Sequence, residues 1–565
     1  MPLGKQDTLF RSTKVSYIDF KTIHMDRVLT ALFARLQYDG STSRLTRNFD
    51  LETTRFFQEF IDIKNKDYCV GFEDNQDIVE KWIETHLMDV VNRGKWNQAI
   101  AAPRPLHGFT YRFRNPKHSR DYNASQHIYW MLYHARANKG PAALAELKRF
   151  FFAGVDPQTG QVENSGQIDV ETQALLRFSA QVKDAKDTAS KDDRFPPLCV
   201  GQADLLADDI LRIMAYQSYV PRSVMVEYLK ILFAFHLALF HMRIFKLLPA
   251  LVKRQSPEPL CEPKNCPMTP GRMENPHGDC PFRIGMLVDV ANQAHTVMQR
   301  LAAQSAEAHY RRIPGFIKAH FVIKKIDEFA EHLSSFPGKF PKPASGWFKV
   351  SELLTLLSPR YKLDRDAFFR QRLDRVIEGL TGSGEEELAP EIKALIDLGL
   401  EPFETYIEVL VAYRAKFHRG YITEFLDATL LKNDPGAMVI QSRTKGAPRR
   451  FILDSRLLEV LIQIAVLQQV PGKGEFRTTS ELRIEELLDF LRERYGIFID
   501  RLPEGDGFFE ESITDREGLR SNIEALKGRL RELGFYRDLS DAYIVQTIKP
   551  RFEFGSQSVD TGGKS

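Results

Sequence analysis

Residues 225–252, MVEYLKILFAFHLALFHMRIFKLLPALV, are the most apolar part of this chain. Their longest run without Lys, Arg, Asp or Glu extends only from residue 231 to residue 242 and contains two histidines. A helix that spans a membrane needs about 20 consecutive apolar residues, so this run is too short. The sequence therefore predicts a central core helix and no membrane association.

Two histidines of this helix, His236 and His241, are candidate metal ligands by residue type alone. They are five residues apart, which places them on different faces of a helix. A metal ion shared by the two rings is therefore disfavoured. We expect both to be core histidines with hydrogen-bonded ring nitrogens.

Length and composition indicate a large folded protein with little net charge. The chain has 565 residues, is 43% hydrophobic and 27% charged, and carries a formal net charge of +3. A chain of this length is too long to fold around a single hydrophobic core, so about three or four domains are expected. The small net charge restricts any nucleic-acid-binding surface to a local patch. The odd number of cysteines and the polar amino terminus favour a reducing, cytoplasmic location.

Helical periodicity dominates the chain and is interrupted by polar, Pro-rich or Gly-rich stretches. In residues 23–36, for example, apolar side chains recur at the spacing of one helix face. We therefore expect a mainly α, multi-domain helical body. Its predicted parts are an amino-terminal helical domain (1–183), a central helical domain (198–333), a third helical domain (347–432), a carboxy-terminal winged helix-turn-helix domain (451–553) and a disordered tail (554–565).

The central domain contains a cluster of soft metal ligands. They lie in an insert, residues 253–283, between the core helix and an amphipathic helix predicted over 287–301. The insert has seven prolines between residues 253 and 282 and few large apolar side chains, so a bound metal would explain how it folds. A flexible loop with incidental cysteines is the alternative. We expect a closed, structural Zn²⁺ site. Its four predicted ligands are Cys261, Cys266, His277 and Cys280.

The other two cysteines, Cys69 and Cys199, are distant from this cluster in the sequence. Cysteine is among the most frequently buried residue types, and a single thiol far from other ligands has no metal-binding signal. We expect both to be ordinary buried thiols.

The carboxy-terminal domain has the element order of a winged helix. Three helices are predicted over 457–469, 481–495 and 514–533, and the sequence after them reads as a hairpin. The third helix of such a domain enters the DNA major groove. This helix is only weakly basic, so a protein-binding winged helix is a nearly equal alternative. Its candidate DNA-binding residues are Arg516, Arg520, Asn522, Lys527 and Arg531.

A second basic stretch, residues 104–120 (RPLHGFTYRFRNPKHSR), places aromatic residues between cations and has no carboxylate. Cations neutralise phosphates and aromatic rings stack on bases, which is how proteins bind single strands. Phe109, Tyr111 and Phe113 alternate, however, and equally fit one buried face of a short strand. The candidate nucleic-acid contacts here are Arg112, Arg114 and Lys117.

Motifs for catalysis are absent from the sequence. It has no GxxxxGK[ST] phosphate loop, no strand-linked GxGxxG, no HExxH and no GxSxG. An enzyme built from scattered residues, such as a nuclease, stays an alternative. The sequence itself favours a non-enzymatic protein.

Both ends of the chain resemble a subunit of the bacterial methylation-associated anti-phage defence system. The resemblance lies in YIDFKTIHMDRVLTALFARL (17–36) and LRELGFYRDLSDAYIVQTIKPRF (530–552), joined by a long helical body. It implies a non-catalytic subunit beside separately encoded methyltransferase, kinase and ATPase subunits. We therefore expect an adaptor or DNA-binding component that contacts DNA or partner subunits through its winged helix. A transcriptional regulator that binds a specific operator is the alternative.

Overall fold

The computed structural model describes most of the chain. Its described residues are 3–4, 6–45, 57–58, 70–96, 98–155, 168, 171–172, 184–188, 194–254, 266, 280–381, 390–469, 477–536 and 547–553. Cys69, the predicted zinc ligands Cys261 and His277, the predicted tail at 554–565 and the tip of the predicted hairpin lie outside these residues.

Helices dominate the described residues, so the prediction of a mainly α protein is confirmed. A π-helical turn, Ile83–Leu87, and the 3₁₀-helices Gly108–Phe113 and Pro359–Tyr361 are also present. The α-helices are α1 (Met25–Gln37), α2 (Gln76–Trp82), α3 (Ala124–His134), α4 (Lys139–Phe151), α5 (Val200–Met214), α6 (Arg222–Arg254), α7 (Val297–Tyr310), α8 (Ile313–Ser334), α9 (Val350–Thr355), α10 (Lys362–Thr381), α11 (Pro390–Asp397), α12 (Pro402–Thr429), α13 (Ser455–Ala465), α14 (Ile484–Tyr495) and α15 (Ile513–Glu532).

The strands are short and pair two at a time. They are β1 (Ser43–Leu45), β2 (Met88–Val91), β3 (Ala99–Pro103), β4 (Asp184–Lys186), β5 (Met286–Leu287), β6 (Val439–Ile440), β7 (Arg450–Phe451), β8 (Leu467–Gln469), β9 (Arg477–Thr479), β10 (Leu482–Arg483), β11 (Ile497–Phe498) and β12 (Thr547–Ile548). The antiparallel pairs are β1 with β4, β2 with β3, β6 with β7, β8 with β9 and β10 with β12, while β5 and β11 are parallel.

Helix α6 is the central core helix that its apolar sequence predicts. It packs against α1, α5, α8, α12 and α13, and its middle residues are buried on every face. By length and composition this helix could cross a membrane, but 94% of its most apolar 18-residue window is buried inside the protein. The core helix of a globular protein can be equally long and apolar, because a helix that is buried on all sides has no need of a polar face.

The two histidines of α6 are buried and hydrogen-bonded, as predicted. The ring nitrogens of His236 lie 2.9 Å from the Asp209 carboxylate and 2.9 Å from the Gln202 amide. Those of His241 lie 2.7 Å from the Leu237 carbonyl and 3.1 Å from Ser16 Oγ. Burial lowers the pKa of His241 to about 3, so its ring is neutral at physiological pH.

One buried hydrophobic core runs through all four predicted domains. Its described members extend from Leu3 to Ile548 and include residues of every helical region. The Pro-rich stretch 336–346 is largely exposed, as expected for a connecting segment. The predicted domain boundaries themselves stay predictions, but the packed interior continues across them.

The predicted helix over 287–301 is wrong in its first half. Helix α7 begins only at Val297, where the hydroxyl of Thr296 accepts a hydrogen bond from the Gln299 amide. The preceding apolar residues form β5, which pairs with β11 of the carboxy-terminal region. A short continuous apolar run in a sequence is compatible with either a buried strand or a buried helix. Here the run forms a strand.

A buried ion network joins α5 to α14. Arg494 of α14 is 2% exposed and donates hydrogen bonds to Asp208 (2.7 Å) and to Asp209 (3.0 Å from Nε). Asp208 also accepts from Lys139 and Arg212, both at 2.7 Å. Burial alone would raise the pKa of both carboxyl groups, but Arg494 and the other partners outweigh it and lower their pKa values. The two aspartates are therefore charged at neutral pH.

Replacing Arg494 by Ala leaves two carboxylates without their main cation inside the protein. We expect the free energy of unfolding to fall by about 3–5 kcal/mol, measured by urea denaturation at pH 7. Arg311→Ala is the control, because its exposed pair with Glu307 contributes at most about 1 kcal/mol. Equal effects of the two variants would contradict a stabilising role for the network.

The same network gives the wild-type protein a defined pH dependence. Because the folded-state pKa values of Asp208 and Asp209 are lowered, their contribution is complete above about pH 4, the ordinary value for Asp. It is lost as the pH falls through the lowered values. The Arg494→Ala variant should lose less stability than the wild type over this acidic range.

Candidate functional site

The carboxy-terminal region contains the predicted three helices and further strands. In chain order it has α13, the pair β8 and β9, then β10, α14, β11, α15 and β12. Strand β10 pairs with β12, and Tyr536 forms an antiparallel bridge with Ile548. The strand that directly precedes α14 thus pairs with the last strand among the described residues. The β8–β9 pair and the pairing of β11 with β5 are additions that the sequence did not indicate.

Helix α15, the predicted recognition helix, buries one face against the rest of the protein. Leu519, Leu526 and Leu530 lie on this face, and the helix packs against α7. Arg300 of α7 donates a hydrogen bond of 2.6 Å to Asp515 in its first turn. The apolar stripe that the sequence shows is therefore the attachment of α15 to the central helices.

Asn522, predicted to contact DNA, lies on this buried face instead. It is 1% exposed, and its side-chain oxygen accepts a hydrogen bond of 2.9 Å from the Val290 amide. Its side-chain nitrogen donates to the carbonyls of Val288 (2.9 Å) and Ile499 (3.0 Å). The prediction for Asn522 is corrected, because its polar atoms are used to join α15 to the chain beside β5 and β11.

The remaining cations of α15 lie on its exposed side, several of them beside carboxylates. Arg516 pairs with Glu511 at 3.0 Å and Lys527 with Glu524 at 2.7 Å. The guanidinium of Arg531 lies 5.4 Å from the ring centre of Tyr536. Arg520 is exposed. The exposed side is therefore mixed in charge, and part of its basic character is neutralised within the protein.

Two large apolar side chains are exposed at the start of α15. Phe509 is 97% exposed and Ile513 is 77% exposed. Helical spacing places Ile513 on the same side as Arg516 and Arg520. Sequence reasoning missed both residues, although an aromatic residue in the polar segment GDGFFEES is a signal that could have singled out Phe509.

The basic stretch 104–120 is largely internal. Phe109, Tyr111 and Phe113 are at most 3% exposed and belong to the 3₁₀-helix, so they neither stack on bases nor form a strand. Arg112 lies 4.2 Å from the ring centre of Phe109. Arg114 donates to the Ser43 carbonyl at 2.7 Å. Arg112 and Arg114 are partly exposed and have these contacts within the protein, and Lys117 is exposed, so the nucleic-acid contacts at these three residues stay predictions.

The described part of the cysteine cluster lies against α6. Cys266 and Cys280 are 5% and 7% exposed, and Cys199 is 2% exposed. Arg243 of α6 donates to Cys199 Sγ at 3.8 Å. Burial alone would lower the pKa of Arg243, but the neighbouring cysteines Cys199, Cys280 and Cys266 outweigh it and raise it. Cys199 is a buried thiol, as predicted, but it lies near the cluster in space.

Only two of the four predicted metal ligands lie within the residues that the structure describes. Among the residues that the structure describes, no group of three or more His, Cys, Asp or Glu side chains could hold a metal ion. Two predicted ligands, Cys261 and His277, lie outside those residues. Cys266 and Cys280 supply two thiols in a shared buried environment, which fits half of a tetrahedral zinc site.

A charged cavity of about 440 Å³ opens between the start of α1 with the chain before it, the first third of α6 and the end of α12. Lys230 lies in its wall and pairs with Asp26 (2.5 Å) and Glu227 (2.8 Å). Burial alone would lower the pKa of Lys230, but the two carboxylates outweigh it and raise it. Two carboxylates thus hold Lys230 in its charged form, and the cavity wall has six carboxylate side chains against three of Lys or Arg, so the cavity suits a polar ligand and gives no support to a catalytic lysine.

Replacing Asn522 by Ala removes three hydrogen bonds and leaves buried backbone groups without partners. We expect the free energy of unfolding to fall by about 1–3 kcal/mol in urea denaturation. Ser521→Ala is the matched control, because Ser521 is the neighbouring, exposed residue of the same helix. An Asn522→Ala variant as stable as the control would contradict this joining role.

Among curated proteins, none matches this chain. The family described as methylation-associated defense system protein MAD7 matches residues 5–552, which is nearly the entire sequence. This match agrees with the resemblance of the two chain ends to a defence-system subunit. The chain therefore belongs to the methylation-associated defense system protein MAD7 family.

Proposed function

We propose that this protein is a cytoplasmic, non-catalytic adaptor of its defence system that docks a partner subunit through α15. The observation that carries the proposal is the exposure of Phe509 and Ile513 beside two arginines. Large aromatic and aliphatic side chains next to Arg are the usual anchors of protein interfaces. We call Phe509, Ile513, Arg516 and Arg520 the docking face.

The chemistry of the docking face defines the partner surface that would fit it. Phe509 and Ile513 require an apolar socket, and the adjacent Arg520 favours a carboxylate at its rim, whereas Arg516 already pairs with Glu511. The docking face is fixed in place, since Asn522 attaches α15 to the chain beside β5 and β11 and Asp515 attaches it to α7. A rigid base lowers the entropy cost of association.

DNA binding through α15 is the second candidate function. It is supported by the three helices α13, α14 and α15 and by the pairing of β10, which precedes α14, with β12, which follows α15, because a winged helix contains three helices and such a strand pair. The exposed cations Arg520 and Arg531 suit phosphate contacts. The ion pairs of Arg516 and Lys527 weaken this candidate relative to protein docking, since those cations already have carboxylate partners.

A structural Zn²⁺ ion bound by Cys261, Cys266, His277 and Cys280 is also part of the proposal. The burial of both Cys266 and Cys280 supports it. Thiolate and imidazole ligands in a closed tetrahedral set would supply folding energy and no reaction chemistry. The ion would attach the Pro-rich insert to the carboxy-terminal end of α6.

The docking face can be tested with the double variant Phe509→Ala, Ile513→Ala. We expect at least tenfold weaker association with the other subunits of the system, because truncation of a buried interface anchor costs about 2 kcal/mol or more. The measurement is co-purification followed by titration of the interacting subunit. Leu363→Ala, a change at an 87% exposed leucine of α10, is the matched control.

A second variant, tested for binding to duplex DNA, distinguishes docking from DNA binding. Charge reversal at Arg520 and Lys527 should weaken duplex DNA binding if α15 reads DNA, whereas the apolar double variant should leave it unchanged. Wild-type association by the apolar double variant would refute the docking face. Loss of duplex binding on charge reversal alone would favour the second candidate.

Zinc content tests the metal part of the proposal. Protein purified without chelators should contain about one equivalent of zinc, measured by atomic emission. Cys280→Ser should lose the ion and lower the unfolding temperature, because it removes one of four ligands. Cys199→Ser should retain the ion, although Cys199 lies in the same buried environment. Absence of zinc from the wild-type protein would contradict the site.

A further inference from the structure

The hairpin formed by β2 and β3 carries an exposed tryptophan at its tip. Trp96 is 98% exposed, whereas Trp130 is 1% exposed and Trp82 and Trp347 are partly buried. A tryptophan ring buries a large apolar area when it finds a partner, and this ring lies almost entirely in water. The residue is therefore a candidate contact for a binding partner.

The turn that carries Trp96 is held by its own hydrogen bonds. The Lys95 amide donates to the Asn92 carbonyl at 2.9 Å, and the Gly94 amide donates to Gln98 Oε1 at 2.9 Å. The guanidinium of Arg93 donates to the Glu84 carbonyl at 2.8 Å. Gly94 has φ +77°, a conformation that favours glycine. The exposed ring is thus attached to a defined turn.

The surroundings of Trp96 are basic. Residues 90–120 contain seven Lys or Arg and no Asp or Glu. Arg93 and Lys95 are exposed beside the ring, and neither forms an ion pair within the described part of the chain. The exposed Lys117 belongs to a segment that lies next to β3, because the Asn115 amide donates to the Ala101 carbonyl at 2.7 Å.

We propose that Trp96, Arg93 and Lys95 form a contact for single-stranded nucleic acid. The ring stacks on an unpaired base, and the two cations neutralise the neighbouring phosphates. Charge complementarity favours this occupant, since a polyanion matches exposed cations in a segment, residues 90–120, that contains no carboxylate. A duplex keeps its base faces stacked inside the helix, so a ring at a hairpin tip matches an unpaired base better.

This contact is separate from the docking face on α15 and does not depend on it. It also replaces the stacking contact expected at Phe109, Tyr111 and Phe113, whose rings are buried. The basic segment predicted from the sequence thus keeps a nucleic-acid-binding role, but the ring that stacks lies at the tip of the hairpin before it.

The test is titration of fluorescein-labelled oligothymidylate and oligouridylate with the full-length protein, followed by anisotropy. Trp96→Ala should weaken binding about ten- to a hundredfold, the range that loss of one base–aromatic stack gives. Trp96→Phe should retain most of the affinity, because it keeps an aromatic face. The DNA and RNA arms show which sugar is preferred, and tighter binding of either one supports the contact.

Phe509→Ala is the matched control, since Phe509 is an equally exposed aromatic residue outside the basic hairpin. It should leave oligonucleotide binding unchanged while weakening subunit association, and Trp96→Ala should do the reverse. Equal affinity of the wild type and Trp96→Ala would overturn the proposal, as would no binding of either oligonucleotide at low salt. Loss of subunit association in Trp96→Ala would assign the ring to a protein interface and would also overturn it.

Quenching of tryptophan fluorescence supplies an independent readout. Stacking of a base on Trp96 should quench its emission, and this change should be missing in Trp96→Phe, which keeps the three other tryptophans. If the oligonucleotide binds but quenches the emission of the wild type and of Trp96→Phe equally, it lies elsewhere on the protein.

Discussion

The arrangement of the whole molecule depends on the buried contact between Arg494 and the aspartate pair Asp208 and Asp209. The partners are about 285 residues apart in the chain, so the contact joins the carboxy-terminal region directly to α5. Removing three charges from water costs several kcal/mol per ion, and such a group is stable only when every charge has partners. His236 and Tyr495 supply further hydrogen bonds to Asp209, both at 2.9 Å. The network therefore fixes α14 to the helices around α6.

A second attachment, made of neutral hydrogen bonds, holds α15. The parallel pairing of β5 with β11 ends after two residues, which leaves backbone groups at Val288, Val290 and Ile499 in need of partners. The single amide of Asn522 satisfies all three. Helix α15 is thus joined to both strands at once. An adaptor that docks a partner on α15 gains from this rigidity, because little order has to be created on binding.

The sequence predicts those features that arise from local patterns. The apolar run of α6 and the five-residue spacing of its histidines indicate a core helix with separately bonded rings, and the structure has both. Features that depend on distant partners are missed. Asn522 is polar, so periodicity assigned it to the exposed side of a helix, whereas its burial follows from backbone groups more than 200 residues earlier in the chain. Phe109 and its neighbours are buried for a similar reason, since packing onto α1 decides which side of the segment is internal.

The distribution of charge distinguishes the two proposed binding surfaces of this nearly neutral protein. Its acidic and basic residues nearly cancel overall, and on α15 they cancel locally as well, which leaves Phe509 and Ile513 as the features that distinguish this surface. From the hairpin of β2 and β3 onward, the positive charge is not balanced within the segment, because no carboxylate occurs from residue 90 to residue 120. Arg27 of α1 holds the base of this hairpin through Asp89 at 2.9 Å, and α1 packs on α6. The proposed docking face and the proposed nucleic-acid contact are therefore both attached to the same core, and an adaptor that bridged a protein partner to a nucleic acid would require such an arrangement.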